Sequence, residues 1–278
     1  MKVAIVGLGR VGSTTAFNLI RNPRIKELWI IDKDKEIAEA LFADFMGTYP
    51  DKGGKVKVGD YKDADDADVI GITAGVFGAP HGDEIWDLNK PIIDNIFSEI
   101  KPKKTAKIVV ISTPSDVAAE YVQKITGLPH RQVIGFGGML DANHLKYLMM
   151  KESGNFDDLI DAHFVGEHGP RGIPIFRDAV ANRKQIVENT KKFYANFMAK
   201  GEASTFGTSH QLAKLIGSMI REYGSVRDIS YYNEEYGFYV TWPCIVNTKG
   251  VEAPLPLVLT KEEKEEFEKL IEDKKKEV

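Results

Sequence analysis

Five short runs in the first half of the chain are apolar almost throughout: KVAIV (2–6), ELWII (27–31), DVIGIT (68–73), AKIVVIS (106–112) and QVIGF (132–136). A strand with one wet face alternates apolar and polar positions, whereas continuous runs of this length fit strands covered on both faces. Between them, residues 10–21, 34–47 and 114–126 have helical length and spacing; the second carries Ile37, Leu41, Phe42 and Phe45 along one side. Strand, helix and strand in series predict right-handed parallel crossovers and a doubly wound sheet.

The pattern changes after about residue 140. Residues 140–152, 183–199 and 209–223 read as helices, and 159–165, 237–242 and 243–247 as strands. The tail TKEEKEEFEKLIEDKKKEV opens on a Thr cap, with apolar residues at 267, 270 and 271, and predicts a surface helix. This is α+β material, so the expected organisation is a first domain over 1–139 and a second over 140–278. No repeat or low-complexity linker interrupts the chain.

Composition narrows the classes. The chain has 278 residues, 43% of them hydrophobic, and a formal charge of −4. No basic block marks a nucleic-acid surface, and no apolar run approaches the roughly 18–20 residues of a membrane span. The N-terminus MKVAIVGLGR has too short an apolar stretch for a signal peptide. Cys244 is the single cysteine, which excludes a disulfide frame and a thiolate metal cluster. A cytoplasmic location without a metal is expected.

The segment GLGRVG (7–12) follows the first strand and opens the first helix. Gly7 permits the tight turn, Gly9 lets backbone approach a pyrophosphate, and Gly12 allows close helix–strand packing. The helix start, with Arg10 and Val11, offers free N–H groups to phosphate. The second strand ends at Asp32, 20 residues past Gly12, where a carboxylate accepts from a ribose 2′-hydroxyl and repels a 2′-phosphate. The expectation is a Rossmann-type sheet that binds a dinucleotide, NAD rather than NADP.

A second motif raises a chemical question. VGEHG (165–169) sets an acid and an imidazole, Glu167 and His168, between glycines. Taken alone, such a histidine is more often a loop residue than a proton carrier. Other motifs decide the matter by likeness. In order, AIVGLGRVGST, ADVIGITAG (67–75), ISTPSDV (111–117), VIGFGGMLDANHLK (133–146), VGEHG and YGFYVTWPCIVNTKGVE (236–252) resemble successive segments of the lactate/malate dehydrogenase family. The resemblance runs nearly end to end and is poorest over 176 to about 200. It implies hydride transfer between a nicotinamide and the C2 carbon of a 2-hydroxy acid. It assigns His168 as the acid–base residue and Asp141 as the carboxylate that orients it. It puts Thr73, Ala74 and Gly75 in the turn under the cofactor, and Ser112 beside the nicotinamide. It also implies a homodimer or homotetramer that pairs helices such as 34–47 and 209–223.

The likeness fails where the family grips its substrate. The family's lid carries an arginine, but VFGAPHGDEIWDLNK (76–90) has none, leaving His81 and Lys90 as its cations. The family's second arginine is replaced by His144, which offers no planar fork for a carboxylate. Thr113 stands where the family has asparagine. Arg171, three residues past His168, is a candidate for a displaced anion site, beside the plainer reading of a solvated loop arginine. These departures point to an NAD-dependent oxidoreductase on a hydroxyl or carbonyl substrate, either a 2-hydroxy acid or an altered compound. The alternative is an NAD-binding protein without useful turnover. Metal-assisted glycoside cleavage, known on related folds, lacks a ligand cluster here. His163 reads as a satisfied sheet histidine, and His130 and His210 belong to no motif.

Overall fold

The computed structural model describes residues 1–76, 83–154, 161–177, 183–199 and 204–277. Its strands are β1 (Lys2–Val6), β2 (Glu27–Ile31), β3 (Val56–Gly59), β4 (Val69–Ile72), β5 (Lys107–Val110), β6 (Val133–Gly135), β7 (Ala162–Val165), β8 (Ile173–Phe176), β9 (Ser225–Asn233), β10 (Phe238–Asn247) and β11 (Gly250–Pro254). Its helices are α1 (Arg10–Leu19), α2 (Lys35–Thr48), α3 (Asp83–Glu99), α4 (Ser115–Thr126), α5 (Gly138–Ser153), α6 (Arg183–Ala199), α7 (Thr205–Met219) and α8 (Lys261–Glu277).

The first six strands are parallel in the order β3-β2-β1-β4-β5-β6, the doubly wound Rossmann arrangement. The continuous apolar runs have the expected cause. Every residue of β4 and β5 is buried, with helices on both faces of the sheet. The sheet does not stop where the pattern changes. Antiparallel β9, β10 and β11 extend it to nine strands, joined to β6 by the pair Gly135–Ser230. β7 and β8 form a separate hairpin, tied to β10 by reciprocal backbone bonds between Gly166 and Thr241 at 2.8 and 3.0 Å.

Two expectations need correction, the strands over 237–247 and Lys90. Residues 237–247 are not two strands broken at Pro243 but one, β10, whose hairpin partner is β11 after the turn at Thr248–Lys249. Pro243 is tolerated because β11 reaches only to Cys244 opposite it, while its carbonyl accepts from Leu255 N–H at 2.7 Å. The lid stretch 76–90 runs into a helix. Residues 77–82, including His81, lie outside the described residues, but α3 begins at Asp83 and carries buried Ile85, Asn89, Ile93, Ile96 and Phe97 at helical spacing. Lys90 is no lid cation. It lies 3.0 Å from Asp94 and sits over the Tyr121 ring. The tail helix α8 is the surface helix expected, with Phe267 and Ile271 turned inward and Glu263 and Lys274 buried along the same side. Phe267 and Ile271 pack with Val165, Ile173 and Val240.

His163 is a sheet histidine. Its Nδ1 is 2.8 Å from Asp228 on β9 and its Nε2 is 3.2 Å from Asp161, so it fastens the β7–β8 hairpin to the main sheet. Burial lowers the basicity of this imidazole, but Asp228 and then Asp161 more than offset it, and the net shift is upward.

Candidate active site

The glycine loop is shaped by contacts that leave no room for side chains. Gly7 has φ +94°, and a Cβ there would fall 2.4 Å from Ala74 N. A Cβ on Gly12 would fall 1.9 Å from the Gly7 carbonyl oxygen and 2.5 Å from Thr73 Oγ1. Thr73 Oγ1 donates to that same carbonyl at 2.5 Å, and Thr73 and Ala74 N–H both donate to Val6 O. The Thr73–Gly75 turn is therefore built into the glycine loop as a floor. On Gly9 an added Cβ would meet nothing within 4 Å, so the outer side of the loop is open. Gly9 caps α1 without a side-chain bond, and it and Arg10 are exposed, so the helix start lies at the surface. An anionic diphosphate fits this cradle.

Asp32 sits at the end of β2. Its Oδ2 accepts from Leu8 N–H at 2.6 Å and its Oδ1 from Asp34 N–H at 3.0 Å. These bonds aim the carboxylate along the loop and leave lone pairs for a further donor. Ser112 Oγ donates to Ala74 O at 2.6 Å, fastening the end of β5 to the same floor. Sequence reasoning missed Asn89, which is 1% exposed and ties two arms of the crevice. Its Oδ1 accepts from Val76 N–H and its Nδ2 donates to Thr113 O, both at 2.8 Å. A polar residue on the buried stripe of α3 was the available signal.

The second half of the site comes from α5 and the β7–β8 loop. Asp141 lies in the first turn of α5 and is fully buried. Its Oδ2 lies 2.8 Å from His168 Nδ1 and also accepts from Gly169 N–H at 3.2 Å. A carboxylate offers only acceptors, so Nδ1 carries the hydrogen and Nε2 is left for another partner. Burial pulls the imidazole toward its neutral form, but the charge and hydrogen bond of Asp141, with Asp116 and Glu167 behind them, turn the net shift upward. Gly137, just before α5, is a second residue the sequence did not mark. A Cβ there would stand 2.5 Å from His168 Cγ, so its bare backbone is the wall against which the ring lies.

The candidate substrate residues are placed differently. His144 is one turn past Asp141, its ring 4.7 Å from that of Phe193 on α6. Burial shifts His144 toward the neutral form, opposed by Asp141 and reinforced by His168. Thr113 has an exposed side chain next to the α4 start. Arg171 is half exposed with its guanidinium 2.7 Å from Glu167, so it serves its own loop rather than standing ready for a ligand. His130 stacks on Tyr232 at 3.7 Å.

A Rossmann sheet carrying a glycine cradle and an aspartate-held imidazole defines a dinucleotide-dependent oxidoreductase in outline. Residues 1–135 match the family model described as lactate/malate dehydrogenase, NAD binding domain. L-lactate dehydrogenase 2 of Lactobacillus johnsonii is 32% identical to the chain, covering 94% of it and 92% of that protein. The L-lactate dehydrogenase of Priestia megaterium is 31% identical, covering 96% and 92%. Among solved structures, the Cryptosporidium parvum lactate dehydrogenase with lactic acid and nicotinamide adenine dinucleotide superposes with a TM-score of 0.89 at 22% identity, over 99% of this chain and 96% of that one. The malate dehydrogenase of Salinibacter ruber gives 0.87 at 21% identity, over 98% and 95%. The chain belongs to the lactate/malate dehydrogenase family. It is accordingly an NAD-dependent oxidoreductase acting on a CH–OH group.

Proposed function

We propose that the chain catalyses reversible oxidation of a hydroxyl compound whose carbonyl partner depends little on a carboxylate grip, with His168 as the proton carrier and Asp141 as its orienting partner. The observation that carries this is the 2.8 Å bond between His168 Nδ1 and a fully buried Asp141. NAD, when bound, accepts or returns the hydride. Gly7, Gly9, Arg10, Val11 and Gly12 hold its diphosphate, Asp32 its ribose, and Thr73, Ala74, Gly75 and Ser112 form the floor beside it. His168 Nε2 takes the hydroxyl proton as the alcohol is oxidised and returns it to the carbonyl oxygen in reduction. Asp141 keeps Nδ1 protonated and stabilises the imidazolium between those steps.

The substrate assignment follows from the cations. A carboxylate-bearing 2-oxo acid is best held by a charged planar donor. His144 is shifted toward neutrality beside Phe193, Thr113 contributes a hydroxyl, and Arg171 is engaged by Glu167. A hydroxyl or carbonyl compound with a weakly acidic or apolar flank suits such a wall better than lactate or malate. The assembly is a homodimer or homotetramer in the cytoplasm. Ile37, at the outer side of α2, is 44% exposed and continues the apolar line of Leu41 and Phe42. No helix of the described residues is long and apolar enough to cross a membrane.

The experiment mixes the protein with NADH and a panel of 2-oxo acids, other ketones and aldehydes, and follows nicotinamide absorbance. Turnover that disappears in His168→Ala while NADH binding persists is expected. Tight NADH binding with no turnover across the panel would establish the binder instead.

A further inference from the structure

The buried face of α8 does not end on apolar residues. After Phe267 and Ile271, which pack beside the His168 loop, and Leu270, which lies under Gly166, the next turn delivers Lys274. This lysine is 8% exposed. Its ammonium is bound to Asp116 of α4 and lies 3.7 Å from Glu167. Desolvating an ammonium is costly unless it is paired, so its presence between two carboxylates is a built arrangement. Asp116 follows the Thr113–Pro114 arm of the crevice, and Glu167 is the immediate neighbour of His168.

We propose that Lys274 is a positioning residue for the active site: it clamps the His168 loop to the start of α4 and screens the imidazole from Asp116 and Glu167. The inference rests on the reading of His168 as proton carrier. The charged and titratable groups around His168 come from four elements. Asp141 and His144 belong to α5, Asp116 to α4, Glu167 and Arg171 to its own loop, and Lys274 to α8. Arg171 shares Glu167 with Lys274, but Asp116 is met by Lys274. Asp116 and Glu167 both favour the charged imidazole, after burial and Asp141 in size. Loss of the lysine leaves both carboxylates acting on the ring without that counter-charge, so the imidazole holds its proton to higher pH. Through a partly buried site the change amounts to about one pH unit.

The test uses the full chain with NADH present. The titration midpoint of the His168 ring is read by NMR, assigned against His168→Gln, in wild type, K274M, K274R, E167Q and K274M/E167Q. The pH profile of kcat/KM is read in parallel. K274M is expected to raise the midpoint by about one unit, K274R to restore most of it, and K274M/E167Q to return toward wild type. A K274M midpoint within experimental error of wild type overturns the proposal. Should K274M fail to fold, K274Q is read in its place: a raised midpoint supports the proposal and an unmoved midpoint refutes it. A midpoint that moves as expected while no carbonyl compound is turned over sinks the catalytic reading and leaves the clamp standing. Turnover with an unmoved midpoint does the reverse.

Discussion

Gly137→Ala is the sharpest probe of the site, because it adds one methyl group against one ring. The new Cβ would lie 2.5 Å from His168 Cγ, 2.6 Å from its Cβ and 3.0 Å from its Nδ1. Carbon–carbon contact becomes comfortable at about 3.5 Å, so the ring must retreat by about 1 Å. From a starting distance of 2.8 Å to Asp141 Oδ2, such a retreat takes Nδ1 out of hydrogen-bond range. The carboxylate is fully buried and also holds Gly169 N–H, so it is poorly placed to follow. Losing a hydrogen bond to a charged group costs about 1.5–3 kcal/mol, or roughly ten- to a hundredfold in rate. Misplacing a reacting group by about 1 Å gives a loss of about a hundredfold by a separate route. We therefore expect kcat/KM on the best panel substrate to fall about thirty- to a hundredfold, with NADH affinity, read by nicotinamide fluorescence, unchanged. The control is Gly138→Ala, whose Cβ would meet Thr241 Cγ2 at 2.4 Å and Asp228 O at 3.0 Å instead of the ring. Its damage should appear in thermal stability, at about 1–3 kcal/mol of overpacking. A Gly137→Ala protein that keeps more than half of wild-type kcat/KM would refute the placement of the imidazole.

Two further predictions concern charge. With His168 as the proton carrier we propose, carbonyl reduction should persist below the raised pKa of the imidazole and fall as pH rises through it, while alcohol oxidation shows the opposite limb. Asp141→Asn removes the carboxylate that lifts this pKa, so both limbs should move to lower pH in initial-rate profiles, and an unmoved profile would contradict the pairing. His163→Asn leaves Asp228 buried without its cation, which should cost about 3–5 kcal/mol in urea unfolding. Because the folded pKa of His163 is raised, this stabilisation is present below about pH 6.5, down to where Asp228, whose carboxyl is pushed up by burial, takes up its own proton, and it is lost as pH rises through the folded value of His163. The wild-type advantage over the variant should therefore shrink toward alkaline pH.

Much of the fold was legible because burial on both faces writes itself as unbroken apolar sequence, as in VIGI of β4 and KIVV of β5. β3 was missed because VKVG is a short outer strand with two partly exposed positions. β9 was missed because SVRDISYYN mixes charges that are used internally, Asp228 to His163 among them. The helix α3 was hidden behind a glycine- and proline-rich approach, although its residues from Ile85 onward kept the helical stripe. At the candidate site, the glycine loop was visible as a local motif, whereas His168 and Asp141 were singled out by likeness to the family. Asn89, Gly137 and Lys274 were not, since each acts across more than 20 residues of sequence on a partner that only tertiary packing brings near.

The join between β6 and β9 has a practical consequence. It consists of Gly135 facing Ser230, so close that a Cβ on the glycine would lie 2.8 Å from the serine Cβ. The family match over residues 1–135 invites excision of that half as a free-standing nucleotide binder. Cutting there would bare the hydrogen-bonding side of β6 to solvent, and an apolar, unprotected rim of that kind recruits other chains. The fragment is expected to self-associate unless the hairpin that normally covers it is supplied in trans.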